Sequence, residues 1–195
     1  MDFAPDARRY ALPPLLLAIP ATLALFPLGV ALAAFAVAVL WFYRDPQRSP
    51  PATGVVSPAD GRVSVVRDEG ERLRVGVFMN VTDVHVNRAP LSGTVREVIH
   101  DPGAHRPAFS KDSDRNERVT VACDGFDVVL IAGWFARRIS PYVDPGDEVE
   151  RGERIGHISF GSRADVLLPT DVTRADLTVE EGDTVRAGET VLARR

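Results

Sequence analysis

The chain has 195 residues and a mass of 21.2 kDa, enough for one domain with a hydrophobic core and short for two. With 45% hydrophobic and 26% charged residues it is neither disordered nor fibrous, and a net charge of -4 gives no reason to expect a nucleic-acid partner. The single cysteine, Cys123, excludes a disulfide framework and a cysteine-rich zinc site. Of the 23 basic residues only Lys111 is a lysine, within a hydrophilic run, so chemistry built on a buried lysine amine, such as holding pyridoxal phosphate, has almost no candidate.

From Ala11 to Tyr43 the chain runs 33 residues without a charge, flanked by Arg8 and Arg9 on one side and Arg44 and Arg48 on the other. Such a segment is expected in or on a membrane, and it is two to three times longer than the apolar part of a usual signal peptide, about 7 to 15 residues. One straight helix of that length would reach roughly 50 Å against a hydrocarbon core of about 30 Å, and Pro27-Leu28-Gly29 interrupts it. Two arms, Ala11 to Phe26 and Val30 to Tyr43, favour a re-entrant hairpin with both flanks on the cytoplasmic side; a single span from about Leu23 to Tyr43 is the alternative. Residues 1–48 are thus read as a membrane anchor with its linker, Arg44-Asp45-Pro46-Gln47-Arg48, and residues 49–195 as a separate domain outside the hydrocarbon.

Beyond the linker the pattern changes to short β-branched runs: Val55-Val56, Arg62 to Val66, Leu73 to Met79, Gly93 to Ile99, Arg118 to Ala122 and Phe126 to Ala132, separated by Gly, Pro and Asp clusters. No later stretch keeps a helical period beyond about two turns, so the fold class is mainly β. Two echoes refine it. Gly146-Asp147-Glu148-Val149-Glu150-Arg151-Gly152-Glu153 returns 36 residues later as Gly182-Asp183-Thr184-Val185-Arg186-Ala187-Gly188-Glu189, and Pro58-Ala59-Asp60-Gly61-Arg62-Val63 returns 32 residues later as Pro90-Leu91-Ser92-Gly93-Thr94-Val95. Each is a turn followed by a strand. The G-D-x-V-x-x-G-E pattern resembles the hairpins of biotinyl and lipoyl carrier domains and predicts a flattened β-barrel or sandwich.

His85, His100, His105 and His157 show no metal-ligand spacing, so no metal is expected. The candidate nucleophile is Ser162, in Phe160-Gly161-Ser162-Arg163-Ala164; it is not a G-x-S-x-G elbow, and Gly-Ser taken alone in a β protein is a turn far more often than a catalytic site. His157, five residues earlier, is read as lying on the same short strand. Asp60, before Gly61, is either a turn cap or a functional carboxylate.

Ser57-Pro58-Ala59-Asp60-Gly61, then Phe78-Met79-Asn80-Val81-Thr82-Asp83-Val84-His85-Val86-Asn87-Arg88-Ala89-Pro90, then Phe160-Gly161-Ser162, following an apolar N-terminus and R-D-P-x-R, resemble in this order the signature segments of the phosphatidylserine decarboxylases, in their compact bacterial and archaeal branch. The resemblance covers nearly the whole chain. It implies a proenzyme that cuts itself between Gly161 and Ser162 into a β chain (1–161) and an α chain (162–195) that stay together as a heterodimer. It further implies that Ser162 becomes a covalent pyruvoyl cofactor, whose ketone takes the electron-sink role of pyridoxal phosphate, and that the substrate is phosphatidylserine at the cytoplasmic face of the cell membrane.

Carried over residue by residue, the resemblance makes Asp60 and His85 catalytic partners of Ser162. Larger members have a second histidine, the base for self-cleavage, where this chain has Arg88, and arginine is no base at neutral pH. Either His85, oriented by Asp60 as in a triad, serves both steps, or His157 replaces the missing base. Arg88 is then a candidate for binding a substrate carboxylate or phosphate. His100 and His105 belong to a solvated loop or a headgroup lid, and Arg137 and Arg138 to a solvated pair or a headgroup contact. Three rivals stand beside this reading: a membrane-tethered carrier, whose attachment lysine is missing from both repeat turns; an anchored serine hydrolase; and a decarboxylase of archaeal-type serine ether lipids.

Overall fold

The computed structural model describes residues 2–103, 116–133, 139–159 and 162–195, which form two compact units, one ending at Gln47 and one beginning at Arg48. In the first, β1 (Asp2–Phe3) pairs with β2 (Arg44–Asp45), and between them lie helices α1 (Ala7–Ala24) and α2 (Phe26–Phe42). The interruption falls at Leu25, whose backbone is extended (φ -151, ψ 94), and not at Pro27-Leu28-Gly29. Pro27 stands in the first turn of α2, where its missing N–H costs nothing. Gly29 is interior to α2 because α1 passes close by: a Cβ there would stand 1.9 Å from Thr22 Oγ1. Small residues are buried, Ala7, Ala11 and Ala18 on α1 with Gly29 and Ala36 on α2, while Leu16, Ile19, Leu23, Phe26 and Val37 face outward. At 18 and 17 residues the helices are about 25 to 27 Å long, and among the described residues no helix is long and apolar enough to cross a membrane.

The second unit is mainly β. Its strands are β3 (Val55–Val56), β4 (Gly61–Glu69), β5 (Arg72–Met79), β6 (Val86–Arg88), β7 (Gly93–Asp101), β8 (Arg118–Cys123), β9 (Asp127–Ile131), β10 (Ile139–Pro141), β11 (Glu148–Val149), β12 (Arg154–Ile158), β13 (Ser162–Leu167), β14 (Thr184–Val185) and β15 (Val191–Ala193). Eight form one antiparallel sheet in the order β11-β7-β8-β9-β13-β5-β4-β14, curled as a half-barrel and not a closed barrel; β10-β12-β6 and β15-β3 form two smaller sheets. β-Branched residues recur every second position, and Phe126, Met79, Leu130, Ile155, Ile158 and Leu192 fill the core.

The sequence echoes are the trace of an approximate twofold arrangement. β11-β7-β8-β9 and β14-β4-β5-β13 are matching halves that meet at the β9–β13 seam. Val95 exchanges backbone hydrogen bonds with Gly146 and Asp147, and Val63 does the same with Gly182 and Asp183. Irregular register follows each valine, between Val95 and Glu97 and between Val63 and Val65. Val56 N–H donates to Pro90 O and Arg88 N–H to Pro58 O, the reciprocal pair expected across a twofold axis. The two G-D-x-V-x-x-G-E turns therefore close on the valine strands of their own halves, rather than forming strand pairs with each other.

Gly61, the glycine of Pro58-Ala59-Asp60-Gly61, has φ +137, and a Cβ on it would stand 2.1 Å from the Phe78 carbonyl oxygen. Gly61→Ala is expected to destabilise the chain by about 3 kcal/mol, roughly 10 °C in melting temperature, when compared in a Ser162→Ala background that keeps the chain uncut. A melting curve within a degree or two of the parent would contradict the close approach.

Candidate functional site

Ser162 opens β13, the central strand of the large sheet, opposite Met79 on β5. From Arg163 onward β13 is also bonded to β9, starting with Arg163 opposite Ile131. Alternation sends Ser162, Ala164 and Val166 to one face, all fully buried. Ser162 Oγ is out of contact with solvent and has no hydrogen-bond partner among the described residues. An orphaned buried hydroxyl costs about 1 to 3 kcal/mol, so this serine is poorly accounted for as a packing residue.

The opposite face of β13 carries Arg163 and Asp165, both buried. Asp165 accepts from Arg163 Nε at 2.8 Å and Nη2 at 3.0 Å and from Arg74 Nη1 at 2.8 Å. Arg74 also pairs with Glu69. The carboxylate has room because Gly76 lies opposite it: a Cβ on Gly76 would stand 2.6 Å from Asp165 Oδ1. Burial works against the charge on Arg74, but the hydrogen bonds to Glu69 and the charge of Asp165 outweigh it and raise its pKa. The Arg74 hydrogen bond is also the main reason that Glu69 is held below the usual carboxylate range.

The segment leading into β6 supplies the imidazole. His85 Nδ1 lies 3.0 Å from the Asp83 carbonyl oxygen. That oxygen only accepts, so Nδ1 carries the proton and Nε2, itself buried, is the basic nitrogen. Ile158 N–H donates to His85 O, which extends the β6–β12 ladder back to His85. Two residues on, and hence on the same side, Asn87 is fully buried; its Nδ2 donates weakly to Met79 Sδ at 3.6 Å and to Pro58 O at 3.4 Å. Met79 thus links the His85–Asn87 side of β6 to the start of β13.

His157 is not on the Ser162 strand. It belongs to β12 in the three-stranded sheet, where it pairs with Val86 and Ser140, and its Nδ1 meets Tyr142 Oη at 2.8 Å. Strand alternation places it with Val86 on the face opposite Asn87. Arg88 is also turned to that other face, 5% exposed, with Nη1 donating to Gly152 O at 2.8 Å, and its Cδ would lie 3.0 Å from a Cβ on Gly188. The arginine read as a substrate-anion ligand is therefore packed into the two repeat turns.

Asp60 is placed by its own network. Arg48 Nη2 donates to both of its oxygens, at 3.0 and 2.7 Å, and Ala187 N–H donates to Oδ1 at 2.8 Å. Arg48 also reaches Glu189 at 3.1 Å. The expected orientation of His85 by Asp60 is not what the hydrogen bonds show: the Asp83 carbonyl takes that place. Asp60 instead ties the R-D-P-x-R arginine to the second repeat turn. Burial outweighs the Ala187 hydrogen bond and the Arg48 charge, so its carboxyl is held above the usual value.

His100 lies on β7, exposed and 2.9 Å from Glu117, in a strand and not a loop, because β7 runs on to Asp101. Burial pushes the Cys123 thiol up to about 11, which keeps it protonated and unreactive at neutral pH. Gly161, His105, Lys111, Arg137 and Arg138 lie outside the described residues. Among those described, no three His, Cys, Asp or Glu side chains gather as a metal ion would require. Sequence reasoning missed the Arg163–Asp165–Arg74 cluster and Asn87; the signal for the first was the alternation of Arg and Asp within an otherwise apolar strand.

The family model of phosphatidylserine decarboxylase matches residues 35–193. A Halobacterium salinarum protein carrying the provisional name archaetidylserine decarboxylase proenzyme is 61% identical over 188 residues, 95% of each chain. Phosphatidylserine decarboxylase proenzymes of Thermobifida fusca and Streptomyces griseus are 50% and 49% identical, over 86% and 83% of this chain and 78% and 76% of theirs.

A carboxylate whose folded pKa is raised holds its proton more tightly in the folded state, so its contribution to stability is present at low pH and lost as pH rises through the folded value. The melting temperature of the chain with Asp60 relative to Asp60→Asn, both in the Ser162→Ala background, is therefore expected to fall as pH rises above the ordinary carboxylate range, about pH 4. Asp60→Ala, which strands buried Arg48, is expected to cost about 3 kcal/mol at neutral pH, read from the same melts.

Proposed function

The chain belongs to the phosphatidylserine decarboxylase family, and from that premise we propose that it is a self-processing decarboxylase in which Ser162 cuts the Gly161–Ser162 bond and becomes a pyruvoyl group. The reading takes phosphatidylserine as substrate and phosphatidylethanolamine as product. The observation that carries it is Ser162 Oγ, buried and without a partner among the described residues at the start of a strand. A hydroxyl that is to be consumed gains nothing from a permanent hydrogen bond, and the site fits the group for that reason.

In the cut, Oγ bonds to the Gly161 carbonyl carbon, the Gly161–Ser162 C–N bond breaks, and the hydroxyl proton ends on the Ser162 amine. Loss of the Cα proton then breaks the Cβ–Oγ bond, releasing the Gly161 carboxylate, and hydrolysis of the resulting alkene with loss of ammonia leaves a ketone. Once formed, the pyruvoyl ketone supplies the electron sink for loss of CO2 from the substrate's amino-acid headgroup. His85 Nε2, the basic nitrogen of a ring fixed by the Asp83 carbonyl, is the proposed base in the cut and the proposed proton donor to the carbon that CO2 leaves. Asp60 supports the site by holding the second repeat turn to Arg48. A second substrate, an archaeal-type serine ether lipid, is favoured by the 61% identity to the Halobacterium protein, and assays with both lipids separate the two.

The two chains are expected to stay together because β13, β14 and β15, all of the α chain, are bonded to β5 and β9, β4 and β3 of the β chain. We further read the helical unit as a hairpin at the cytoplasmic face of the membrane: small residues packed inside with large apolar ones outside is the arrangement expected of helices in lipid.

Intact mass is expected to give chains of 161 and 34 residues, the second bearing a carbonyl that reacts with hydroxylamine or borohydride, with Ser162→Ala remaining whole and inactive. His85→Ala is expected to slow both the cut and turnover by about 100-fold or more, and wild-type cutting should slow below the usual imidazole range, about pH 6 to 7. Normal cutting in His85→Ala would remove His85 from that step.

A chain beginning at Arg48 should still cut itself and lose its binding to phospholipid vesicles, since Ser162, His85 and Asp60 all belong to the second unit. A truncated chain that folds but never cuts would overturn this division.

A further inference from the structure

Asn87 is fully buried, and its Oδ1 has no hydrogen-bond partner among the described residues. Its Nδ2 is engaged only by Pro58 O at 3.4 Å and the thioether of Met79 at 3.6 Å, both weak contacts. A leucine or methionine would fill the same volume without stranding a carboxamide, so packing does not account for the residue. Ser162 Oγ is another such oxygen among the described residues, and it is connected to Asn87 through one side chain. Met79, which Asn87 touches, is the strand partner of Ser162, and residues directly opposite in an antiparallel pair project to the same face about 5 Å apart. One buried oxygen able only to accept and one hydroxyl able to donate thus both belong to residues that adjoin Met79.

We propose that Asn87 is a positioning residue for self-cutting: its Oδ1 accepts the Ser162 hydroxyl hydrogen bond and holds Oγ in the rotamer that attacks the Gly161 carbonyl. This rests on the self-processing reading above. The weak Nδ2 contacts leave the carboxamide little tied to its present orientation. Asn87 does not take the proton, which a carboxamide cannot hold at neutral pH; that remains with the base.

The test uses the full-length chain with Asn87→Leu, which keeps size and removes the acceptor, and Asn87→Asp, which keeps size and an acceptor. Each is made in two backgrounds, Ser162 and Ser162→Ala. Melting of the Ser162→Ala pair measures packing; the appearance of the 34-residue chain by intact mass measures cutting. The expected result is that Asn87→Leu melts no lower than its parent but cuts about 100-fold more slowly, while Asn87→Asp retains cutting within about tenfold of wild type. Hydroxylamine, which cleaves an ester faster than an amide, is expected to release no 34-residue chain from Asn87→Leu, because the ester does not form. Each of these results overturns the proposal: wild-type cutting in Asn87→Leu; a lowered melt or failure to fold in Asn87→Leu, which makes the residue a packing element; or release of a serine-ended α chain by hydroxylamine, which places the defect after the attack. Equal loss of cutting in both variants removes the acceptor role. A wild-type chain that never cuts would instead refute the self-processing reading itself.

Discussion

β13 is hydrogen-bonded along both edges, to β5 from Ser162 onward and to β9 from Arg163 onward, and the rest of the second unit accommodates that strand. A central strand exposes neither backbone edge, so its start can be fixed in place without support from what precedes it. A break in the backbone just before Ser162 leaves the eleven register pairs of β13 intact: six to β5 and five to β9. Because β14 and β15 lie in the same C-terminal stretch and pair with β4 and β3, the piece is held at three separate places. The self-processing proposed for this chain asks for this, since a residue that cuts must remain in the site it has created.

The cost of seating that strand is visible on its two faces. On one, the Ser162 hydroxyl is buried without a partner among the described residues. On the other, Asp165 is buried beneath two arginines and is tolerable only because Arg163 and Arg74 both donate to it and Gly76 leaves it space. A lone buried carboxylate would take up a proton or destabilise the fold, whereas a fully hydrogen-bonded one fixes the register of β13 against β5. A slip of one residue would bring Asp165 to the apolar face and Ser162 to the charged one, so this cluster defines which side chain faces the core.

Asp60 and Arg88 show how a motif acquires a role from its neighbours. Both belong to segments that the resemblance marks as catalytic, yet their hydrogen bonds run to the repeat turns: Asp60 to Ala187 N–H and Arg48, Arg88 to Gly152 O. They join the site to the C-terminal turns around the twofold axis. His85, by contrast, has its ring orientation set by the backbone of its own segment through the Asp83 carbonyl.

The sequence by itself determined the mainly β class, the positions of β3, β4, β5, β7, β8 and β9, the two repeat turns, the helical character of the N-terminal unit and the family, because these depend on local periodicity, turn chemistry and contiguous motifs. Its residue pattern also offered Ser162 as a candidate nucleophile, and the resemblance added His85 as its candidate partner. What it could not determine was which strands neighbour which. β6, β10 and β12 are short and irregularly patterned, so nothing local separates His157 on β12 from Ser162 on β13, five residues along the chain but in different sheets. The partners of Asp60 come from residues 12 positions before it and 127 after it, and those of Asn87 from Met79 and Pro58. Such contacts are created when separate segments are buried together, and a carboxylate's partner or an amide's lack of one is set by that burial and not by the residues on either side of it.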